Sequence, residues 1–223
     1  MNVASNPAVE QQPLRIPVGP AALDADLGMP PEPIGLVLFA HGSGSSRLSP
    51  RNRHVARLLN EAGFATVLAD LLTPAEESID ERTRELRFDI ELLAQRLAAA
   101  AAWLAAQQET GGLPLGYFGA STGAAAALLA AARRPDAVRA VVSRGGRPDL
   151  AGAALARVRA PTLLIVGGAD VPVITLNRQA LAQLRCEKDL VIVPDATHLF
   201  EEPGALEAVA ARAREWFLQH LAQ

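Results

Sequence analysis

The chain has 223 residues, half of them hydrophobic, with a formal net charge of -3 and a sequence pI near 5.8. That length supports one substantial core and is short for two, since domains usually run about 100–200 residues. The mild acidity, with no clustered basic face, excludes a nucleic-acid footprint.

Residues 1–13 mix Asn, Gln, Pro and Ser without hydrophobic periodicity. They are expected to form a flexible tail ahead of a single domain spanning 14–223. The same segment has no basic stretch followed by an apolar one, so no secretory signal is expected. Cys186 is the only cysteine, which rules out an intrachain disulfide or a cysteine-rich metal centre and suits a reducing compartment. The longest apolar run, 123–132, ends in Arg133-Arg134 and falls short of the roughly 18 residues a membrane span needs. A cytoplasmic protein with no membrane or nucleic-acid partner is therefore expected.

From Leu14 to Leu27 short alternating runs flank Gly19-Pro20, the pattern of an antiparallel edge pair. After Pro30-Pro31-Glu32-Pro33 the pattern changes to short, wholly apolar runs alternating with longer amphipathic or Ala-rich segments. A parallel sheet covered by helices on both faces requires that alternation. The predicted strands are 35–40, 65–69, 115–118, 137–142, 162–166 and 189–193. The predicted helices are 50–62, 81–108, 122–132, 150–157, 173–184 and 203–221.

Gly119-Ala120-Ser121-Thr122-Gly123 falls between the strand 115–118 and an Ala-rich helix, where a G-x-S-x-G nucleophile elbow has to lie. A sharp strand-to-helix turn requires small residues on either side of the nucleophile. It also points the Thr122 amide, at the helix start, toward a developing oxyanion. A serine hydroxyl needs a base, and the chain has four histidines. His198 lies on the loop after the last strand. His41 and His54 precede the nucleophile, and His220 sits in the last turn of the terminal helix. The acid that orients the base is expected after strand 162–166, where Asp170 ends Gly167-Gly168-Ala169-Asp170. Asp195 and Asp149 are weighed against it and read as a turn residue and a helix cap. The second oxyanion donor is expected from His41-Gly42-Ser43-Gly44, as the Ser43 amide, with His41 a structural hydrogen-bonder. A phosphate-cradling loop is the other reading of that segment, but it lacks both the Gly-Lys-Ser/Thr ending and the full G-x-G-x-x-G spacing.

These residues resemble the dienelactone hydrolase-like group of small α/β-hydrolases over about 14–221. The resemblance implies an α/β-hydrolase fold: a mostly parallel central sheet, helices on both faces and no large cap domain. It also implies hydrolase chemistry in the chain order Ser121, Asp170, His198. One departure stands out: dienelactone hydrolase proper uses a cysteine nucleophile, whereas this elbow carries Ser121 and Cys186 lies on another segment. The expected activity is cleavage of a small-molecule carboxylic ester through an acyl-enzyme, with no metal and no organic cofactor. Acyl transfer or thioester cleavage by the same triad, and a non-catalytic binding module on the same fold, are the alternatives. Only 143–160 separates two strands where many relatives insert a cap, so the site should be open. Arg47, Arg51, Arg144 and Arg147 lie near that edge of the sheet. Arg47, Arg144 and Arg147 are carried as candidate binders of an anionic substrate group, against ordinary ion pairing with Asp70, Glu76, Glu77 or Asp149.

Overall fold

A computed structural model describes residues 9–222. In chain order the elements are β1 (Gln11–Val18), β2 (Ala21–Gly28), β3 (Gly35–Ala40), α1 (Pro50–Glu61), β4 (Phe64–Ala69), α2 (Pro74–Thr83), a 3₁₀ turn (Leu86–Phe88) and α3 (Ile90–Ala105). Then follow β5 (Leu115–Ala120), α4 (Thr122–Arg133), β6 (Ala140–Arg144), a 3₁₀ segment (Pro148–Arg157), β7 (Thr162–Gly167), α5 (Val171–Gln183), β8 (Lys188–Val193) and α6 (Ala205–Leu221). The strands form one eight-stranded sheet in the order β1-β2-β4-β3-β5-β6-β7-β8. β2 pairs antiparallel with both β1 and β4, and every other pair is parallel.

The central strands are buried on both faces, and strand periodicity shows how. Along β3, Leu36, Leu38 and Ala40 join a core with Leu93 and Leu97 of α3 and Ala125–Leu128 of α4. Val37 and Phe39 point the other way, to Val55 and Leu59 of α1 and Phe217 of α6. Successive strand side chains alternate between faces, so a strand buried on both sides reads as continuously apolar. Ala124 to Ala127 are wholly buried, and their small side chains let α4 lie close to the sheet below the elbow. No helix among the described residues is long and apolar enough to cross a membrane.

Several expectations need correcting. β1 begins at Gln11, inside the expected tail, because Gln11–Pro13 pair with Asp26–Gly28; residues 1–8 of that tail lie outside the described residues. The single helix expected over 81–108 is two helices. Thr73 and Glu76 form a reciprocal capping box that starts α2, and Arg84 in left-handed conformation (φ 58°) ends it. Asp89 then accepts from the Leu92 amide to cap α3. β6 runs Ala140–Arg144 rather than over 137–142, and all five of its residues are buried. The segment expected as a helix over 150–157 is 3₁₀ in character and is kinked at Gly152 (φ 53°).

Candidate active site

Ser121 sits between β5 and α4 with φ 51° and ψ -121°, a backbone conformation that costs an L-residue of order 1–3 kcal/mol unless its surroundings hold it. They do. The Ser121 amide donates to the Arg144 carbonyl (3.2 Å), and its own carbonyl accepts from the amides of Ala124 (3.1 Å) and Arg147 (3.0 Å). The flanking glycines are obligatory for space. A Cβ at Gly119 would stand 2.4 Å from the Ala124 Cα, and one at Gly123 would stand 2.2 Å from the Ala40 carbonyl oxygen. The motif spacing thus follows from strand and helix backbones crossing at contact distance.

The residues expected as acid and base lie at the ends of β7 and β8. Asp170 directly precedes α5 after β7, and His198 follows β8. The Asp170 Oδ2 lies 2.7 Å from the His198 Nδ1, with side-chain exposures of 12% and 41%. A hydrogen bond at Nδ1 leaves Nε2 as the nitrogen free to take a proton. The loop after β6 ties this pair to the elbow: a Cβ on Gly145 would lie 3.2 Å from the His198 carbonyl oxygen and 3.6 Å from its Nδ1. Arg144 and Arg147, on either side of Gly145, are the residues bonded to the Ser121 backbone. Asn177 of α5 anchors that loop in turn, donating 2.9 Å to the Gly146 carbonyl. Of the competing acids, Asp195 is exposed in a left-handed turn (φ 58°). Asp149 is paired with Arg147 (2.8 Å) and does not cap a helix, because Arg147 occupies that position without a side-chain bond.

The segment 41–45 runs beside Ser121, and a Cβ on Gly42 would meet the Ser121 Cβ at 2.9 Å. The Ser43 amide donates 2.9 Å to the Thr122 hydroxyl, so the two residues expected to supply oxyanion donors are neighbours, but the Ser43 amide is already engaged. Thr122 is the first residue of α4, and its amide has no intrahelical acceptor. His41 pins the start of the segment. Its Nε2 accepts from the Leu71 amide (3.0 Å) and its Nδ1 donates to the Gly42 carbonyl (2.9 Å). Accepting at Nε2 requires a neutral ring, and burial holds the His41 pKa below its usual value against smaller opposing effects from the Gly42 bond and Asp70. One contributor was missed in the sequence: Arg87, bound to Asp80 through its Nε (2.5 Å), places its Nη1 3.2 Å from a Cβ built on Gly44. The 3₁₀ turn after α2 therefore flanks the 41–45 loop.

The candidate anion binders divide. Arg47 pairs with Asp70 (2.7 Å) and Asp26 (3.6 Å), and Arg147 is held by Asp149, so both show the ion pairing weighed against substrate binding. Arg144 is different. It is 8% exposed, donates 3.3 Å to the Asn52 Oδ1 and stacks 5.9 Å from the Phe200 ring centroid. Its buried Nε and Nη1 have no hydrogen-bond partner among the described residues. Burial, with a smaller push from Arg51, lowers its pKa to about 10. No group of three or more His, Cys, Asp or Glu among the described residues is arranged to hold a metal ion.

A family model for the dienelactone hydrolase family matches residues 23–222, nearly the whole described chain. The chain belongs to the dienelactone hydrolase family. A dienelactone hydrolase structure from Anabaena variabilis is 60% identical, covers 96% of this chain and 99% of its own, and superposes with a TM-score of 0.94. Est1E from Butyrivibrio proteoclasticus, at 19% identity and a TM-score of 0.78 over 93% of this chain and 98% of its own, shares the fold. Two Mycobacterium tuberculosis proteins carrying the provisional name phosphoribosyl transferase are 56% identical over 221 residues, 99% of this chain. The chain spans 49% of the length of these curated relatives. Family membership and the 60% identical structure give this chain the α/β-hydrolase fold.

Proposed function

We propose that the protein hydrolyses a carboxylic ester through an acyl-enzyme on Ser121. The observation that carries the proposal is the Asp170–His198 pair at 2.7 Å, docked on the same loop, 144–147, that bonds to the backbone of the strained serine. His198 Nε2 takes the Ser121 proton as Oγ attacks the carbonyl carbon, and returns it to the leaving alkoxide. Asp170 fixes the tautomer and stabilises the imidazolium. Water then attacks the acyl-enzyme with His198 again as base, releasing the acid and restoring Ser121. The amides of Thr122 and Ser43 are the proposed donors to the oxyanion, the Ser43 N–H being shared between the Thr122 hydroxyl, which holds it in place, and the developing charge.

Hydrolysis is favoured over acyl transfer because the His198 side chain is 41% exposed. A transferase must keep water from its acyl intermediate, whereas among the described residues the base is open to solvent over 41% of its side chain. The phosphoribosyl transferase name belongs to proteins of which this chain spans 49% of the length. A panel of esters, lactones and thioesters, assayed with and without an alcohol acceptor, tests the reading. Turnover of an ester with release of free acid supports it. Turnover only when the acceptor is present would make the protein a transferase.

A further inference from the structure

At the far end of β5 from Ser121, a cavity of about 220 Å³ opens between the sheet and α3. Leu115, the first residue of β5, lies on its wall, and six strand residues put Ser121 about 20 Å away. The wall on the α3 side is Ala98, Ala101, Ala102 and Ala105, spaced so that they fall on one helix face. Their small side chains leave the space open.

The polar end of the cavity is what gives the site a chemistry. Tyr117 lines it, is 1% exposed, and its hydroxyl has no hydrogen-bond partner among the described residues. The Tyr117 hydroxyl oxygen is itself accessible from the cavity, so a ligand there can supply the partner that a largely buried tyrosine ordinarily finds. Arg134, also on the lining, is exposed and makes no side-chain hydrogen bond or ion pair among the described residues, whereas the adjacent Arg133 is bound to Glu91. The two polar groups are close enough for the Arg134 charge to act on the phenol, while burial still pushes the Tyr117 pKa up and keeps it a neutral donor.

We propose that this cavity is a second ligand site, separate from the catalytic one, for a small monocarboxylate with an unbranched apolar tail. The carboxylate sits between the Arg134 guanidinium and the Tyr117 hydroxyl, both donors, and the tail lies along the alanine face. Engineered cavities of about 150 Å³ hold benzene, so the larger volume here suits a chain of about six to eight carbons. A site of this kind would let the protein sense an acid of the class that ester cleavage releases; that link rests on the proposed esterase activity, whereas the binding does not.

Calorimetric titration of octanoate into the full chain tests the site directly, because it reads binding whether or not the protein turns over an ester. The expected result is one saturable site whose affinity falls at least tenfold in Arg134→Gln and in Tyr117→Phe, is lost in Ala102→Leu, and survives Ser121→Ala. n-Octanol should bind at least tenfold more weakly than octanoate. Arg134 and Ala102 are exposed, so both variants should keep the wild-type thermal transition, and Arg134→Gln should keep the ester turnover of the wild type. Absence of saturable binding, or binding indifferent to Arg134→Gln and Ala102→Leu, would overturn the proposal and leave the cavity a gap in Ala-rich packing. Loss of octanoate binding in Ser121→Ala alone would move the ligand to the catalytic cleft and overturn it as well.

Discussion

Asp170 reaches His198 at 2.7 Å across 28 residues of chain, while Asp195, three positions from the same histidine, is turned into a left-handed, exposed conformation. Proximity in space, set by the ends of β7 and β8, favours Asp170 as the proposed acid. Asp170→Asn should therefore lose about 10³–10⁴ in kcat, because the amide favours the wrong imidazole tautomer. Asp195→Asn should lose far less. Steady-state kinetics on one ester for both variants checks the ranking, and the opposite order would transfer the role to Asp195.

The Ser43–Thr122 bond gives a second expectation. With the Thr122 hydroxyl holding the Ser43 amide at 2.9 Å, its removal should loosen one proposed oxyanion donor. A net hydrogen bond of about 0.5–1.5 kcal/mol corresponds to a fall in kcat of about two- to tenfold for Thr122→Val. KM should change little, and Thr122→Ser should retain wild-type rates. A Thr122→Val enzyme as fast as wild type would show that the Ser43 amide needs no such tether.

His41 links the same loop to pH. Its folded pKa is lowered, chiefly by burial, below an unfolded value near 6.5. The unfolded chain therefore binds the extra proton first as pH falls, so this contribution to stability is complete above about pH 6.5 and declines below it. Urea denaturation between pH 7.5 and 5 should show that decline in the wild type and a flatter profile in His41→Gln. His41→Gln should itself cost about 1–3 kcal/mol at pH 7.5, because a buried partner is left unsatisfied.

Arg144 carries a buried charge with two unpartnered donor atoms and a pKa pulled down to about 10, so it remains charged at neutral pH. Replacing such a cation by an apolar side chain of similar length removes a desolvation cost. Arg144→Met should be neutral or stabilising, by about 1–4 kcal/mol on the scale known for buried ionic groups. Denaturant unfolding measures it; a loss of more than about 2 kcal/mol would mean that the guanidinium is better satisfied than its single bond to Asn52 implies.

The elbow was legible because its signal is local: Gly119 and Gly123 are forced by backbone contact at the Ala124 Cα and the Ala40 carbonyl, and both constraints are written as residue type at fixed spacing. The parallel strands could be anticipated from alternating apolar runs, but neither their order in the sheet nor the register could. The reading over 137–142 followed the apolar residues Ala137 and Val138, whereas pairing with β5 places Ala120 opposite Arg144 and carries the strand three residues past its expected start. Ser143 and Arg144, polar and buried, read as loop residues, which is why Arg144 was grouped with Arg47 and Arg147 as a candidate anion binder. The start of α2 had a readable sign in Thr73-Pro74-Ala75-Glu76, a capping box with proline at the first position. Ala-rich composition further along hid the break at Arg84. The role of Arg87 beside Gly44 had no sequence signal, because it depends on a buried Asp80 and on how α2 folds back on the loop.

The central claim is that Ser121 is the nucleophile, and identifying the residue modified by a fluorophosphonate tests it most directly. Peptide mass spectrometry after labelling of the wild-type chain should place one adduct on the peptide containing Ser121, in step with loss of ester turnover, and Ser121→Ala should show neither labelling nor turnover. An adduct on another serine, or a Ser121→Ala protein that cleaves esters at the wild-type rate, would contradict the account.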